Sequence, residues 1–179
     1  SRFCSARGVV CIKKLWLALW VCAALLPRSA ALSAAAAVTM DADTRETLFA
    51  ENADSRLPMA STTKIMTALV ALGEGDLDRV YTVKKQYAAV EGSSMYLQEG
   101  ERLTLRDTLY GLMLSSGNDA AAAVAGECGG ERAFVDKMNA KARELGLTDT
   151  RFENPSGLPS DGHYTTAREL AKITAAALR

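Results

Sequence analysis

Residues 61–70 read Ser-Thr-Thr-Lys-Ile-Met-Thr-Ala-Leu-Val. Ile65, Met66, Leu69, Val70 and Leu72 recur at helical spacing ahead of Gly73 and Gly75, which predicts a buried helix with a clear stop. Ser61 and Lys64 stand three residues apart at its start, so their side chains lie on one face, one turn apart, near the positive end of the helix dipole. A hydroxyl and an amine so placed can touch. A serine hydroxyl is a poor nucleophile until a base takes its proton, and a lysine partly buried by Ile65, Met66 and Leu69 can have its pKa lowered enough to serve. Alone, the pair reads as a serine N-cap beside a solvated lysine.

Upstream of this helix, Ala34–Met40 and Glu46–Ala50 read as two strands around the turn Asp41-Ala42-Asp43-Thr44, a β-hairpin. Downstream, a short strand is expected at Val80–Val83 within a polar, glycine-containing stretch that runs to Gly100. Thr104-Leu105-Arg106-Asp107 has the form of a capping box, opening a helix whose apolar face is Leu105, Leu109, Leu112 and Met113. That helix ends at Ser115-Ser116-Gly117-Asn118, and an alanine-rich helix follows from Asp119 to Ala125 until Cys128-Gly129-Gly130 breaks it. Glu131–Leu145 is amphipathic with Phe134, Met138, Ala142 and Leu145 inward, and Gly146 suits the left-handed residue after a helix end. Asn154, Pro155, Gly157, Pro159 and Gly162 make a loop, after which Thr166-Ala167-Arg168-Glu169 repeats the capping-box pattern at the start of a last helix.

The 179 residues hold 21 Lys+Arg against 21 Asp+Glu and are 49% hydrophobic, an ordinary globular composition. Residues 1–31 carry five basic residues (Arg2, Arg7, Lys13, Lys14, Arg28) and no acid, which leaves the rest with 16 basic and 21 acidic residues, a net of −5 that argues against nucleic acid as a partner. The same stretch has secretory signal layout: a basic start ending in Lys13-Lys14, the apolar run Leu15–Leu26, Pro27, then small residues, with cleavage expected after Ala31. Those 12 apolar residues fall short of the about 20 that cross a bilayer as a helix. The expected organisation is a signal peptide over 1–31 and a domain over 32–179. With Cys128 the only cysteine after residue 31 and His163 the only histidine, neither a disulfide framework nor a thiolate or His-rich zinc site can be built there.

Ser116-Gly117-Asn118 places a second hydroxyl and a carboxamide in an interhelical turn, where side chains can point together into a cleft; alone it reads as a turn with Asn118 as N-cap. Ser-x-x-Lys followed about 50 residues later by Ser-x-Asn, both opening helices, belongs with Lys-Thr-Gly to the motif set of penicillin-binding proteins and β-lactamases. The resemblance becomes specific in the segments 52–67 (NADSRLPMASTTKIMT), 114–120 (LSSGNDA), 152–158 (FENPSGL) and 163–171 (HYTTARELA). They resemble the serine D-alanyl-D-alanine carboxypeptidases among the low-molecular-mass penicillin-binding proteins, and the likeness runs from about Ala34 to Arg179.

The resemblance implies an α/β (α+β) fold of the serine β-lactamase/DD-peptidase type, an antiparallel sheet with a helical subdomain and Ser61 at their junction. It implies an exported periplasmic or cell-surface enzyme that removes the terminal D-alanine from peptidoglycan stem pentapeptides through an acyl-serine intermediate, with β-lactam antibiotics as covalent inhibitors. Ser61 is then the nucleophile, Lys64 its general base, Ser116 a proton relay toward the leaving amine, and Asn118 the substrate-binding residue that also positions Lys64. No metal or organic cofactor is implied. No Lys-Thr-Gly occurs in the 179 residues. That motif, the remaining sheet strands and any C-terminal segment for peripheral membrane association are therefore expected beyond Arg179, and the chain as it stands is expected to be inactive, with an exposed sheet face.

His163 with Asp161 two residues away invites a Ser-His-Asp reading, but Ser61 already has Lys64 as a neighbour, so His163 is expected to hold its loop near the cleft. Cys128 reads as a small buried residue, and Glu99, Glu101, Asp76 and Asp78 as solvated loop carboxylates. A class A β-lactamase usually has aspartate where Gly117 stands and needs a downstream Glu-x-x-Leu-Asn, which is absent here. The other alternative is a non-catalytic peptidoglycan-binding or regulatory homologue that keeps the groove.

Overall fold

The structure is a computed structural model and describes residues 33–74 and 76–179; the expected signal peptide lies outside the described residues. Ala35–Arg179 forms one unit of α+β architecture. In chain order it contains β1 (Ala37–Met40), β2 (Thr47–Glu51), a 3-10 turn (Ala60–Thr62), α1 (Thr63–Leu72), β3 (Val80–Thr82) and α2 (Lys85–Ala88). There follow β4 (Arg102–Thr104), α3 (Leu105–Leu114), α4 (Asn118–Glu127), α5 (Glu131–Glu144) and α6 (Ala167–Ala177).

The hairpin forms where the alternation predicts it: β1 pairs antiparallel with β2, Ala37 opposite Glu51 and Val38 opposite Ala50. Its turn is held by Asp41, whose Oδ1 accepts from Thr44 N at 2.7 Å and Thr44 Oγ1 at 2.8 Å. β1 lies against α6, whereas β2 is exposed along its whole length, with Leu48 and Phe49 facing outward. The strand at Val80 pairs antiparallel with β4, a strand that the polar sequence of its neighbourhood conceals, and the single-turn α2 was likewise hidden in an expected loop. Tyr87 of α2 belongs to a small second core with Tyr81, Val83, Leu97 and Ala123, and Leu103 of β4 packs against it.

Helix α1 is the central element and packs on α3, α4, α5 and α6. The main core joins Met66, Val70 and Ala71 of α1 to Leu105, Leu109 and Leu112, to Ala120, Ala121, Val124 and Ala125, to Phe134 and Met138, and to Ile173. Leu72 and Met113, both expected inward, are half exposed, because the core stripe of α3 runs through Leu105, Leu109 and Leu112 and position 113 falls off its edge. Alanines at 120, 121, 123 and 125 are fully buried, so α4 contributes backbone proximity rather than side-chain bulk.

The first capping box closes as expected, with Asp107 N donating to Thr104 Oγ1 at 3.0 Å and the Asp107 carboxylate accepting from Thr104 N at 3.4 Å. The second closes on one side only. Thr166 Oγ1 accepts from Glu169 N at 3.1 Å, but the buried Glu169 carboxylate turns instead to Thr148 N, Asp149 N and Thr150 Oγ1, tying the segment after α5 to α6. Gly146 takes the left-handed conformation (φ 70°) that ends α5.

Because Ala121 is fully buried where α4 meets the core, Ala121→Leu should destabilise the fold by about 1–3 kcal/mol through overpacking. A chemical denaturation midpoint equal to that of the parent would contradict the packing described.

Candidate active site

The chain enters the site through a strained corner. Ala60 has a left-handed φ of 45°, and the 3-10 turn it starts carries Ser61 into solvent at the head of α1. Thr62 N donates to Met59 O, while Ser61 N–H donates to no backbone carbonyl among the described residues, so it is open to an incoming oxygen.

One turn on, Lys64 is only 2% exposed. Its Nζ donates to Ser156 O at 2.6 Å, Asn118 Oδ1 at 2.8 Å and Ser61 Oγ at 3.3 Å. All three acceptors are uncharged. The ammonium's hydrogen-bonding capacity is met, but among the described residues no carboxylate offsets its charge, and burial pushes its pKa below the ordinary lysine value. Ser156 and Asn118 thus supply two of the polar contacts of the buried Lys64 head group. Thr63 and Thr67 are fully buried with it, so α1 carries a buried polar strip beside its apolar face.

That strip receives the loop 153–163. Thr67 Oγ1 donates to Pro155 O at 2.6 Å. Asn154 Oδ1 collects Gly157 N at 2.7 Å, Leu158 N at 3.1 Å and Ser156 N at 3.2 Å, an Asx-type turn that sets the direction of the Ser156 carbonyl. Gly157 adopts φ 92° and lies so close to the Ala60 carbonyl that any Cβ would collide with it. Both the conformation and the space require glycine.

His163 is buried, with Nδ1 accepting from Glu153 N at 3.0 Å. This assigns the proton to Nε2, which donates to Thr63 Oγ1 at 2.7 Å. The ring also stands edge-on to Phe152. Burial depresses its pKa, opposed by the nearby Glu153 carboxylate. Both ring nitrogens are engaged away from Ser61, so His163 joins the loop to α1.

Asn118 is the first residue of α4. Its Nδ2 donates to Glu91 O at 2.8 Å and its backbone N to Ser93 O at 2.7 Å, which leaves Oδ1 directed at Lys64. Gly117, not Asn118, is the helix N-cap. Ser116 is half-buried with a left-handed φ of 53°, and its hydroxyl makes no hydrogen bond to Ser61, Lys64 or Asn118. Three of the four candidates, Ser61, Lys64 and Asn118, thus form one hydrogen-bonded chain, with Ser116 two residues from its end.

Asn154, Ser156 and Asp119 support the site although none is among the four candidates. The first two lie in a stretch read only as breakers, although Asn-Pro-Ser-Gly is itself a turn signal. Asp119, which the sequence places at a helix start, is 1% exposed. Cys128 is a buried free thiol whose pKa is raised by burial. Asp78 pairs with Arg106 on the surface. A cavity of ≈ 450 Å³ is lined by residues including Met59, Ala60, Leu158 and Tyr164 but by none of Ser61, Lys64 and Asn118.

A serine against a buried lysine, roofed by a carboxamide and a loop carbonyl, is an arrangement in which a hydroxyl can be activated without a histidine. The chain belongs to the D-alanyl-D-alanine carboxypeptidase family, whose match covers residues 23–179. It is 43% identical over 145 residues to D-alanyl-D-alanine carboxypeptidase DacF of Bacillus subtilis, covering 77% of this chain and 37% of that protein. To the D-alanyl-D-alanine carboxypeptidase of Streptomyces sp. K15 it is 38% identical over 161 residues, 83% of this chain and 55% of the relative. The crystal structure of D-alanyl-D-alanine carboxypeptidase DacD from Francisella tularensis superposes with a TM-score of 0.78 at 37% identity, over 84% of this chain and 38% of that one. The fold is therefore of the DD-peptidase type, and the chain spans 37% and 55% of the lengths of these two curated relatives.

The His163 geometry predicts an acid-sensitive loop. A histidine with a depressed folded-state pKa contributes stability that is present in full above its ordinary value of about 6.5 and is lost as the pH falls below that value toward the folded-state pKa. Protonation puts a hydrogen on Nδ1 opposite the Glu153 N–H. Melting temperatures measured between pH 7.5 and 5 should fall, with a shallower fall in His163→Asn; equal slopes would refute the role.

Proposed function

We propose that this chain is the Ser-x-x-Lys and Ser-x-Asn part of a serine D-alanyl-D-alanine carboxypeptidase acting on peptidoglycan stem pentapeptides. The observation that carries the reading is the 3.3 Å contact of the buried Lys64 Nζ with Ser61 Oγ, with no counter-charge on Lys64 among the described residues. Lysine with a lowered pKa can be unprotonated often enough to act as a base, and its fixed position removes the entropy of finding the hydroxyl.

In the proposed reaction the Ser61 proton passes to neutral Lys64 Nζ as Oγ attacks the carbonyl carbon of the penultimate D-alanine. The Ser61 N–H stabilises the developing oxyanion. The peptide C–N bond then breaks, and the proton is returned through Ser116 to the leaving amine, releasing D-alanine and an acyl-serine ester. Water cleaves the ester and restores Ser61. Asn118 binds the substrate and holds Lys64. A β-lactam enters the same path but keeps its leaving group tethered, so the ester persists and the antibiotic is a covalent inhibitor.

The organisation that accompanies this reading is a signal peptide over residues 1–31 and the N-terminal part of the catalytic domain over 32–179. The enzyme is exported to the periplasm or cell surface, and peripheral membrane association through a further segment goes with it. The basic start and apolar run of the first 31 residues support the export part. No step of the mechanism calls on a cofactor, since nucleophile and base are both side chains.

The test is intact-mass spectrometry of the protein expressed from its whole reading frame after exposure to benzylpenicillin. A persistent adduct that is absent in Ser61→Ala is expected; no adduct on the folded protein would overturn the reading. The acylation rate should rise with pH along a limb lying below the ordinary lysine value of 10.5, as Lys64 deprotonates. Lys64→Arg keeps the positive charge but offers no base at any of these pH values, so acylation should drop by about 10²–10⁴-fold.

A further inference from the structure

Asp119 follows the Ser-x-Asn motif and is as deeply buried as Lys64, yet none of its hydrogen bonds goes to Ser61, Lys64 or the Asn118 side chain. Its Oδ1 accepts from Met95 N at 3.0 Å and Ala120 N at 2.8 Å, and its Oδ2 from Ser94 Oγ at 2.7 Å and Leu97 N at 3.0 Å. A carboxylate that served only to cap α4 would collect amides of that helix. This one takes a single helix amide, and its other three donors come from a segment 22 to 25 residues upstream. Burial works to raise its pKa, but the four donors outweigh that and hold it below the usual aspartate value.

The clamped segment is the one that orients Asn118. Glu91 O accepts from Asn118 Nδ2 and Ser93 O from Asn118 N, immediately upstream of the residues that Asp119 holds. Without the Glu91 carbonyl the carboxamide could turn its NH2 toward the Lys64 ammonium, donor against donor. The junction is tight: a Cβ on Gly117 would stand 2.7 Å from Asp119 Oδ1 and 3.2 Å from Met95 N. On either side of it the backbone is in left-handed conformations that side chains disfavour, Tyr96 at φ 66° and Ser116 at φ 53°.

We propose that Asp119 is a positioning residue for the Ser61–Lys64 pair: it fastens the 94–97 segment to the head of α4, and through Glu91 and Ser93 that segment keeps Asn118 Oδ1 on Lys64. The proposal rests on the reading of Ser61 as the acylated nucleophile. Asp119→Asn isolates it, since an NH2 in place of Oδ1 confronts two N–H donors and in place of Oδ2 confronts Leu97 N–H, so every orientation strands at least one buried amide.

The experiment is a double-mutant cycle in the benzylpenicillin acylation rate of the whole protein, comparing Asp119→Asn in the parent and in Asn118→Ala. It is joined to an NMR measurement of hydrogen exchange at the Asn118 side-chain amide. Asp119→Asn should slow acylation by about 10–100-fold in the parent, chiefly in the chemical step, and add little in the Asn118→Ala background. Asn118 amide exchange should accelerate in step. The same slowing in both backgrounds, or unchanged Asn118 exchange in Asp119→Asn, would overturn the proposal. Should Asp119→Asn fail to fold, Ser94→Ala removes one of the four donors and is expected to give a smaller slowing with the same dependence on Asn118; equal slowing in both backgrounds would again overturn it. If the parent itself gives no Ser61 adduct, the acyl-serine reading falls, and Asn118 exchange alone decides the clamp.

Discussion

A lysine ammonium held 2% exposed, with no carboxylate beside it among the described residues, is the constraint around which this structure is organised. Burying a charge without a counter-ion is costly, and the cost is contained only if every donor proton meets a well-placed acceptor. Lys64 meets three, supplied by three separate parts of the chain: the 3-10 turn before α1, the head of α4 and the 153–163 loop. Each of these is irregular or terminal structure, so each needs its own support. Asn154 organises the turn behind Ser156, Gly157 lets it approach Ala60, and Thr67 and the His163–Thr63 bond fasten the loop to α1.

The helical core supplies the rigidity that such a site needs. Met66, Val70 and Ala71 anchor one side of α1 in the common core, and Thr63, Lys64 and Thr67 present the other side to the loop. The alanine seam of α4 brings its N-terminus, and so Asn118, close to α1. A looser core would let water reach Lys64, and hydration would return its pKa toward the ordinary value. Packing far from Ser61 is in this sense part of the chemistry proposed for it.

Much of the fold was legible in the sequence because it depends on short-range regularities. The hairpin, the helix at 63–72, the capping box at Thr104, the amphipathic helix ending at Gly146 and the helix after Thr166 each announce themselves within a few residues. What escaped was decided at long range. β4 and α2 are too short to show a period of their own: Tyr87 of α2 joins Tyr81 and Leu97 in a small core, while β4 pairs with β3 and packs Leu103 against that core. Glu169 fits a capping box locally, but three donors around residues 148–150 outbid the backbone of Thr166.

For the site, the spacing of Ser61 and Lys64 determined by itself that the two side chains share a helix face, and the Ser116–Asn118 turn that a carboxamide would sit at a helix start. Helical geometry fixes such relations within one turn, whatever surrounds it. Tertiary structure alone decided that Asn118, 54 residues away, reaches Lys64, that the Ser156 carbonyl, 92 residues away, completes its shell, and that Asp119 turns from its own helix to the 94–97 segment. Burial and hydrogen-bond partnership are properties of the assembled chain, and it is burial that pushes the Lys64 pKa below the ordinary lysine value.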